Sequence, residues 1–151
     1  MAGVLGTLKA AAAVACAAGV AKTVLQGIGA TNHRAKCLSW GVSFDGVSGV
    51  ATPVLVELVR ESDAGTGTGV TAVKINASDD ETLQTTGLAA NTVEPTVTSV
   101  ICGVDVHPQG GYQETFPFGQ EIPFSGTANR LGIRVNAPAN VNCVPFMRFE
   151  E

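Results

Sequence analysis

The chain reads as all-β, a two-sheet antiparallel sandwich, on three observations. Several stretches alternate apolar and polar residues with a period of two, the spacing that gives a strand one oily face. Turn formers punctuate them, with 18 Gly and seven Pro among 151 residues. Val and Thr dominate over Lys, Glu and Leu, which favours short strands over long helices. At 45% hydrophobic and 15% charged residues, the chain can bury one core and is too apolar for disorder.

Residues 1–21 stand apart from residues 22–151 as an alanine-rich N-terminal arm. The first 44 residues carry four bases, Lys9, Lys22, Arg34 and Lys36, and no acid, whereas all 13 acids lie between Asp45 and Glu151 with the other five bases. The molecule is therefore dipolar. The uncharged run from Ala10 to Ala21 is well short of the ~20 residues that cross a bilayer. It is also a poor secretory signal, although Val14-Ala15-Cys16 faintly resembles a lipoprotein cleavage site. Alanine favours helix and Gly19, Gly27 and Gly29 oppose it, so a short helix and an extended arm are both open, with a frayed terminus as the plain alternative. A segment so poor in charge exposes apolar surface unless a neighbour covers it, which makes it a candidate partner-binding arm. On this reading, deleting residues 1–21 leaves the sandwich folded and weakens assembly.

Counting Lys22–Ala30 as the first strand, the body holds eight or nine. Lys36–Asp45 alternates most cleanly, with Leu38, Trp40, Val42 and Phe44 on one face and Cys37, Ser39, Gly41 and Ser43 on the other. Burying that face is worth roughly 1.5–3 kcal/mol per large side chain, so a second sheet must cover it. In Val54–Glu61, Val54, Val56 and Leu58 share a face, and Glu57 and Glu61 mark the wetter one. Ser62–Gly69 reads as a loop, and Thr71–Ala77 as a strand with Val73 and Ile75 inward, ending at the acidic turn Ser78-Asp79-Asp80-Glu81. Residues 82–97 are Thr-rich and weakly patterned, suiting a Greek-key crossover. Ser99–Val106 points Val100, Cys102, Val104 and Val106 to the core, before a turn at His107–Gly111. Tyr112–Phe118 and Glu121–Phe124 are short strands cut by Pro117, Gly119 and Pro123. Leu131, Ile133 and Val135 point inward, leaving Arg130 and Arg134 on one solvent or partner face. Pro145 makes Val141–Phe149 an edge or bulged strand. Turn-spaced short strands in this number are the pattern of a jelly roll of about eight strands with an N-terminal arm.

No residues converge on a catalytic pattern, so the chain reads as a non-enzyme without a cofactor. There is no GxGxxG, P-loop or internal repeat. The cysteines at 16, 37, 102 and 143 show no C-x-x-C spacing, which disfavours zinc; Cys102 and Cys143 read as small hydrophobes, and pairing is possible but unneeded. Asp105 and His107 are the nearest thing to an acid–base dyad or ligand pair, against the plainer reading of a strand-end Asp and a turn His. Asp79–Glu81 lacks the spacing of a calcium loop. Trp40 shares the core face, which leaves Tyr112 alone as a sugar-stacking aromatic. A pI near 5.1 leaves no basic stripe for nucleic acid. The candidate partner-binding residues are Lys9, Val14, Val20, Lys22, Val24, Leu25, Arg34, Arg130 and Arg134.

The runs Lys22-Thr23-Val24-Leu25-Gln26 and Thr31-Asn32-His33-Arg34, then Trp40-Gly41-Val42-Ser43-Phe44-Asp45-Gly46 and the ending Phe146-Met147-Arg148-Phe149-Glu150-Glu151, resemble small virion proteins of tailed bacteriophages. Over residues 22–151 the likeness is to the jelly-roll capsid decoration, or cement, proteins. The resemblance implies a protein made in the host cytoplasm that assembles on the outer surface of a phage head as trimers, or dimers, with the major capsid protein as partner and no membrane or nucleic acid. A carbohydrate-binding or host-adhesion module on a tail or cell surface is the rival reading, because the same sandwich supports it.

Overall fold

Clean period-two runs do become strands, and two antiparallel sheets packed face to face bury their oily sides. The computed structural model describes residues 3–46 and 51–151 and contains no helix among them. In chain order the strands are β1 (Leu5–Lys9), β2 (Val14–Cys16), β3 (Ala21–Ile28), β4 (Ala35–Phe44), β5 (Val54–Glu61), β6 (Thr66–Thr71), β7 (Val73–Lys74), β8 (Thr86–Val93), β9 (Val97–Val106), β10 (Gly111–Thr115), β11 (Ile122–Phe124), β12 (Arg130–Asn136) and β13 (Val141–Glu150). A seven-stranded sheet runs β10-β4-β13-β1-β7, with β11 on β4 and β2 on β13. A six-stranded sheet runs β6-β8-β3-β12-β5-β9. The arches β4–β5 and β12–β13 lie side by side, β4 pairing β13 and β5 pairing β12. The architecture is an antiparallel β-sandwich with more strands than the eight or nine expected.

The core lies between the sheets. Trp40, Phe124, Phe149, Met147, Leu8, Leu25, Leu58, Leu131 and Ile133 are its largest fully buried apolar side chains. Phe124 and Phe149 meet edge to face at 6.1 Å, and Trp40 donates from Nε1 to Glu114 Oε2 at 3.1 Å, so its polar edge is satisfied.

Residues 4–16 are not a separate arm. Strand β1 pairs along its length with β13, from Leu5 opposite Glu150 to Lys9 opposite Phe146, and β2 pairs Val141–Cys143. Leu8, Ala10, Val14 and Cys16 enter the core. Small, weakly apolar residues were enough here because β13 presents backbone partners to both β1 and β2, which no single-strand pattern reveals.

The same argument places Pro145. The strand expected to be an edge or bulged strand is central, flanked by β4 and by β1 with β2, and its register with β4 shifts at Arg148/Phe149. Asn142 exchanges hydrogen bonds with Asp45 beside β4, and Glu151 exchanges them with Val4 beside β1. By alternation the nitrogen of Pro145 points to the β1/β2 side. There the ladder is interrupted between Lys9 and Val14, so a residue that cannot donate sits where no acceptor strand runs.

Two bulged registers correct the face assignments. Opposite Arg148 and Phe149, β4 inserts an extra residue, Leu38. Cys37 therefore turns into the core and Leu38 becomes half-exposed, while Trp40, Val42 and Phe44 keep their inward phase. Strand β9 inserts Ile101 and Thr98 against β5, and as the sheet's edge it leaves Val100 exposed and Cys102 and Val104 only half-buried. Elsewhere, Val73 and Ile75 point outward rather than inward, being 61% and 51% exposed. Strand β6 begins inside the expected Ser62–Gly69 loop, and the expected 82–97 crossover contains β8, paired between β6 and β3. Strands β6 and β7 form one run that leaves the six-stranded sheet for the seven-stranded one at Ala72.

Candidate functional site

The outer face of the seven-stranded sheet carries a groove of about 580 Å³. It is built by alternation: along β13 the outward residues are Val144, Phe146 and Arg148, beside Thr7 and Lys9 on β1, Gly41 and Ser43 on β4, and Gln113 on β10. Small residues at 41, 43 and 111 make the depression. A Cβ at Gly41 would stand 2.6 Å from the Phe146 ring and 2.8 Å from the Tyr112 carbonyl oxygen, so the absent side chain is what lets that ring lie on the sheet. The Arg148 guanidinium carbon sits 5.9 Å from the centroid of the same ring. The groove is thus an apolar floor with two cations, Lys9 and Arg148, on diagonal positions of adjacent strands, and no carboxylate among the described residues lines it. The two ion pairs among the described residues, His33–Glu151 at 3.0 Å and Arg134–Glu57 at 2.7 Å, use neither cation.

Gly41→Ala is expected to cost about 1–3 kcal/mol, because one of its clashes is with backbone and repacking cannot relieve it. Gly103→Ala, where an added Cβ meets nothing nearer than 3.5 Å, is the neutral control. Thermal melts of both variants check this, and equal melting temperatures would refute the Phe146 packing.

The nine candidate partner residues do not converge. Lys9 rims the groove. Val14, Val24 and Leu25 are core, so they present nothing to a partner. Val20 is exposed, and Lys22 donates to the Ala15 carbonyl at 3.2 Å. Arg34 lies with Arg60 beside a small cleft at Pro123 and Asn129. Arg134 makes both its bonds to Glu57, and Arg130 donates to the Ser62 carbonyl at 2.8 Å, so the supposed free guanidinium face is engaged within the chain. Arg148, which sequence reasoning did not single out, was detectable: Val144, Phe146 and Arg148 alternate with Cys143, Pro145, Met147 and Phe149, which are buried.

Glu61 holds the other notable chemistry. It lies on the outer side of the six-stranded sheet as expected of a wetter face, yet it is fully buried. Gln26 explains this: its amide donates to the Asp63 carbonyl at 2.9 Å and accepts from Gly65 N, which folds residues 62–65 over the sheet. Beneath them, Glu61 Oε1 accepts from Thr23 Oγ1 at 3.0 Å and Oε2 accepts from Gln26 Nε2 at 2.6 Å. Gly132 leaves the space its carboxyl occupies. Among the described residues no cation answers it, since Arg130, directly across the ladder, is turned to Ser62. Burial pushes the Glu61 carboxyl up to about 7, opposed by its two hydrogen bonds and aided by Glu94 and Asp63.

The remaining groups have local roles. Asp105 and His107 are both exposed, and His107 Nδ1 accepts from Gln109 N at 3.1 Å. Glu151 is held below the usual carboxylate range: burial raises it, but hydrogen bonds from Thr85, the Gln84 amide and His33 outweigh that. Tyr112 packs its ring against Trp40 at 5.5 Å. Burial pushes the Cys37 thiol up to about 12, and the Cys143 thiol is pushed up by its hydrogen bond with Cys16, 3.7 Å away, and by burial. Among the described residues no group of three His, Cys, Asp or Glu side chains is arranged to hold a metal ion, and no helix is long and apolar enough to cross a membrane.

No protein-family model, curated protein or solved structure matches this chain.

Proposed function

We propose that this chain is a non-enzymatic structural protein of a tailed-bacteriophage virion, a decoration or cement protein that sits on the outer surface of the head as a trimer and clamps adjacent subunits of the major capsid protein. The observation that carries the reading is the placement of exposed apolar side chains on two opposite sides of one small sandwich. Leu5, Val73 and Ile75 line the β1/β7 edge, which β6 and β7 close. Val100 and Ile101 on β9, with a fully exposed Phe118 after β10, line the other. Two separate apolar strips suit a protein that must touch two kinds of neighbour at once, a further copy of itself and the coat lattice, and symmetry multiplies a modest affinity per contact. The packing of the Tyr112 ring on Trp40 argues against the sugar-binding alternative.

Heads assembled from the coat protein encoded in the same genome, mixed with this protein and pelleted, are expected to bind it saturably in a copy number that is a multiple of three. Phe118→Ser combined with Ile101→Ser should reduce that binding at least about tenfold without lowering the melting temperature, since neither side chain is in the core. Absence of binding to any such head would defeat the proposal.

A further inference from the structure

The charge on the seven-stranded sheet is divided. Its groove is cationic at Lys9 and Arg148, while the turn at Ser78–Glu81 lies against Gly3 and Val4 at the other end of β1, with Asp80 and Glu81 exposed. Val4 and Lys9 are five residues apart along an extended strand, about 17 Å, so one copy does not bring its own turn over its own groove. The turn is also preceded by an unburied apolar residue, Ile75. It is anchored by Lys74 Nζ donating to the Asp79 carbonyl at 2.6 Å and by the side-chain bond from Asn76 Nδ2 to Asp79 Oδ1 at 2.8 Å, so the segment is presented in a fixed shape.

We propose that the groove on the outer face of the seven-stranded sheet is the seat for a second copy of this chain, filled by the segment from Ile75 to Glu81. Ile75 lies on the apolar floor at Phe146, and the carboxylates of Asp80 and Glu81 meet Lys9 and Arg148. Complementary charge carries the choice of occupant: the groove holds two cations outside any ion pair among the described residues, in a chain whose net charge is −4. Copies therefore repel over most of their surface and attract through this pairing, which sets the docking orientation. Socket and plug are different patches, so the contact is head-to-tail, and it closes into a ring where the rotation from copy to copy allows it. The inference rests on the homo-oligomeric part of the proposed function and leaves the capsid contact to the β9 and Phe118 side.

Sedimentation velocity of the full chain over a range of concentration tests it. The wild type is expected to associate, less as salt rises. The double variant Lys9→Glu/Arg148→Glu and the double variant Asp80→Lys/Glu81→Lys are each expected to associate about tenfold more weakly or worse. An equimolar mixture of the two variants should recover association, because one variant's groove again matches the other's turn. Circular dichroism melts confirm that both fold, and Lys9→Gln/Arg148→Gln serves as the milder pair should a reversal fail to. A wild type that stays monomeric at its solubility limit, reversals that associate like wild type, or a mixture that remains monomeric would each overturn the proposal. Capsid pelleting reads separately: restored association without head binding sinks only the virion role, and head binding by a monomer sinks this contact and the trimeric state while leaving the capsid-binding role.

Discussion

Glu61→Gln is expected to stabilise the fold by roughly 2–3 kcal/mol at pH 8 and to remove a pH dependence that the wild type shows between about pH 4.5 and 7. The carboxyl is raised in the folded state, so across that window the folded protein keeps a proton that the unfolded chain has released. Stability therefore falls as pH rises through the window and levels off above it. Below about pH 4.5 both states are protonated and the group contributes nothing. Glutamine fits the site as the neutral acid does. Its oxygen accepts from Gln26 Nε2, and its amide donates to Thr23 Oγ1, which can accept as well as donate. Urea unfolding at intervals from pH 4 to pH 9 gives both curves. Parallel curves for the two proteins would show that Glu61 is ionised at no cost, and that the roof formed by residues 62–65 admits water. The carboxylate of Glu151 works in the opposite sense. Held low in the fold, it adds stability above its ordinary range and loses it on acidification, so the two effects fall in separate parts of the profile.

Removing residues 1–21 is expected to abolish folding, the reverse of what an independent arm predicts. The truncation takes β1 and β2 from the seven-stranded sheet, strips one side of β13 of its ladder, and removes Leu8, Val14 and Cys16 from the core. At roughly 1.5–3 kcal/mol for each large buried side chain, that loss alone reaches the 5–15 kcal/mol by which domains of this kind are stable. It also bares a long central strand, the arrangement most prone to pairing with another chain. Soluble yield and far-ultraviolet circular dichroism report the outcome. Leu8→Ala, costing about 2–5 kcal/mol, is the graded version for a chain that still folds. A truncated protein with the wild-type melting temperature would mean that these strands are ornaments on a sandwich that stands without them.

The elements that were readable from the sequence are those whose inward residues are large and regularly spaced. Leu131, Ile133 and Val135 in β12 and Val54, Val56 and Leu58 in β5 keep strict alternation and are fully or almost fully buried. Strands made of small residues escaped. In β8 the buried positions are Gly87, Ala89 and Asn91, which carry too little apolar bulk to mark a face, although the strand is paired on both sides, with β3 and with β6. The bulge at Leu38 was invisible for another reason: it is forced by the partner strand, and alternation within one strand cannot register it. Exposure of Val100 and Val73 shows the converse error, since a strand with perfect apolar spacing still faces solvent when it lies at an edge. The groove was half legible. Lys9 stood out by its charge, but its companionship with Arg148 depends on two chain segments far apart in sequence lying next to each other.

Where the chain passes through Ala72, the same few residues belong covalently to both layers, with β6 hydrogen-bonded to β8 and β7 to β1. A pull applied along the β1 side is handed through main-chain bonds to the opposite layer, instead of relying on side chains that slip past one another. Shear between the layers must then unzip β7 or β6 before it can proceed, which makes this border a mechanically stiff one.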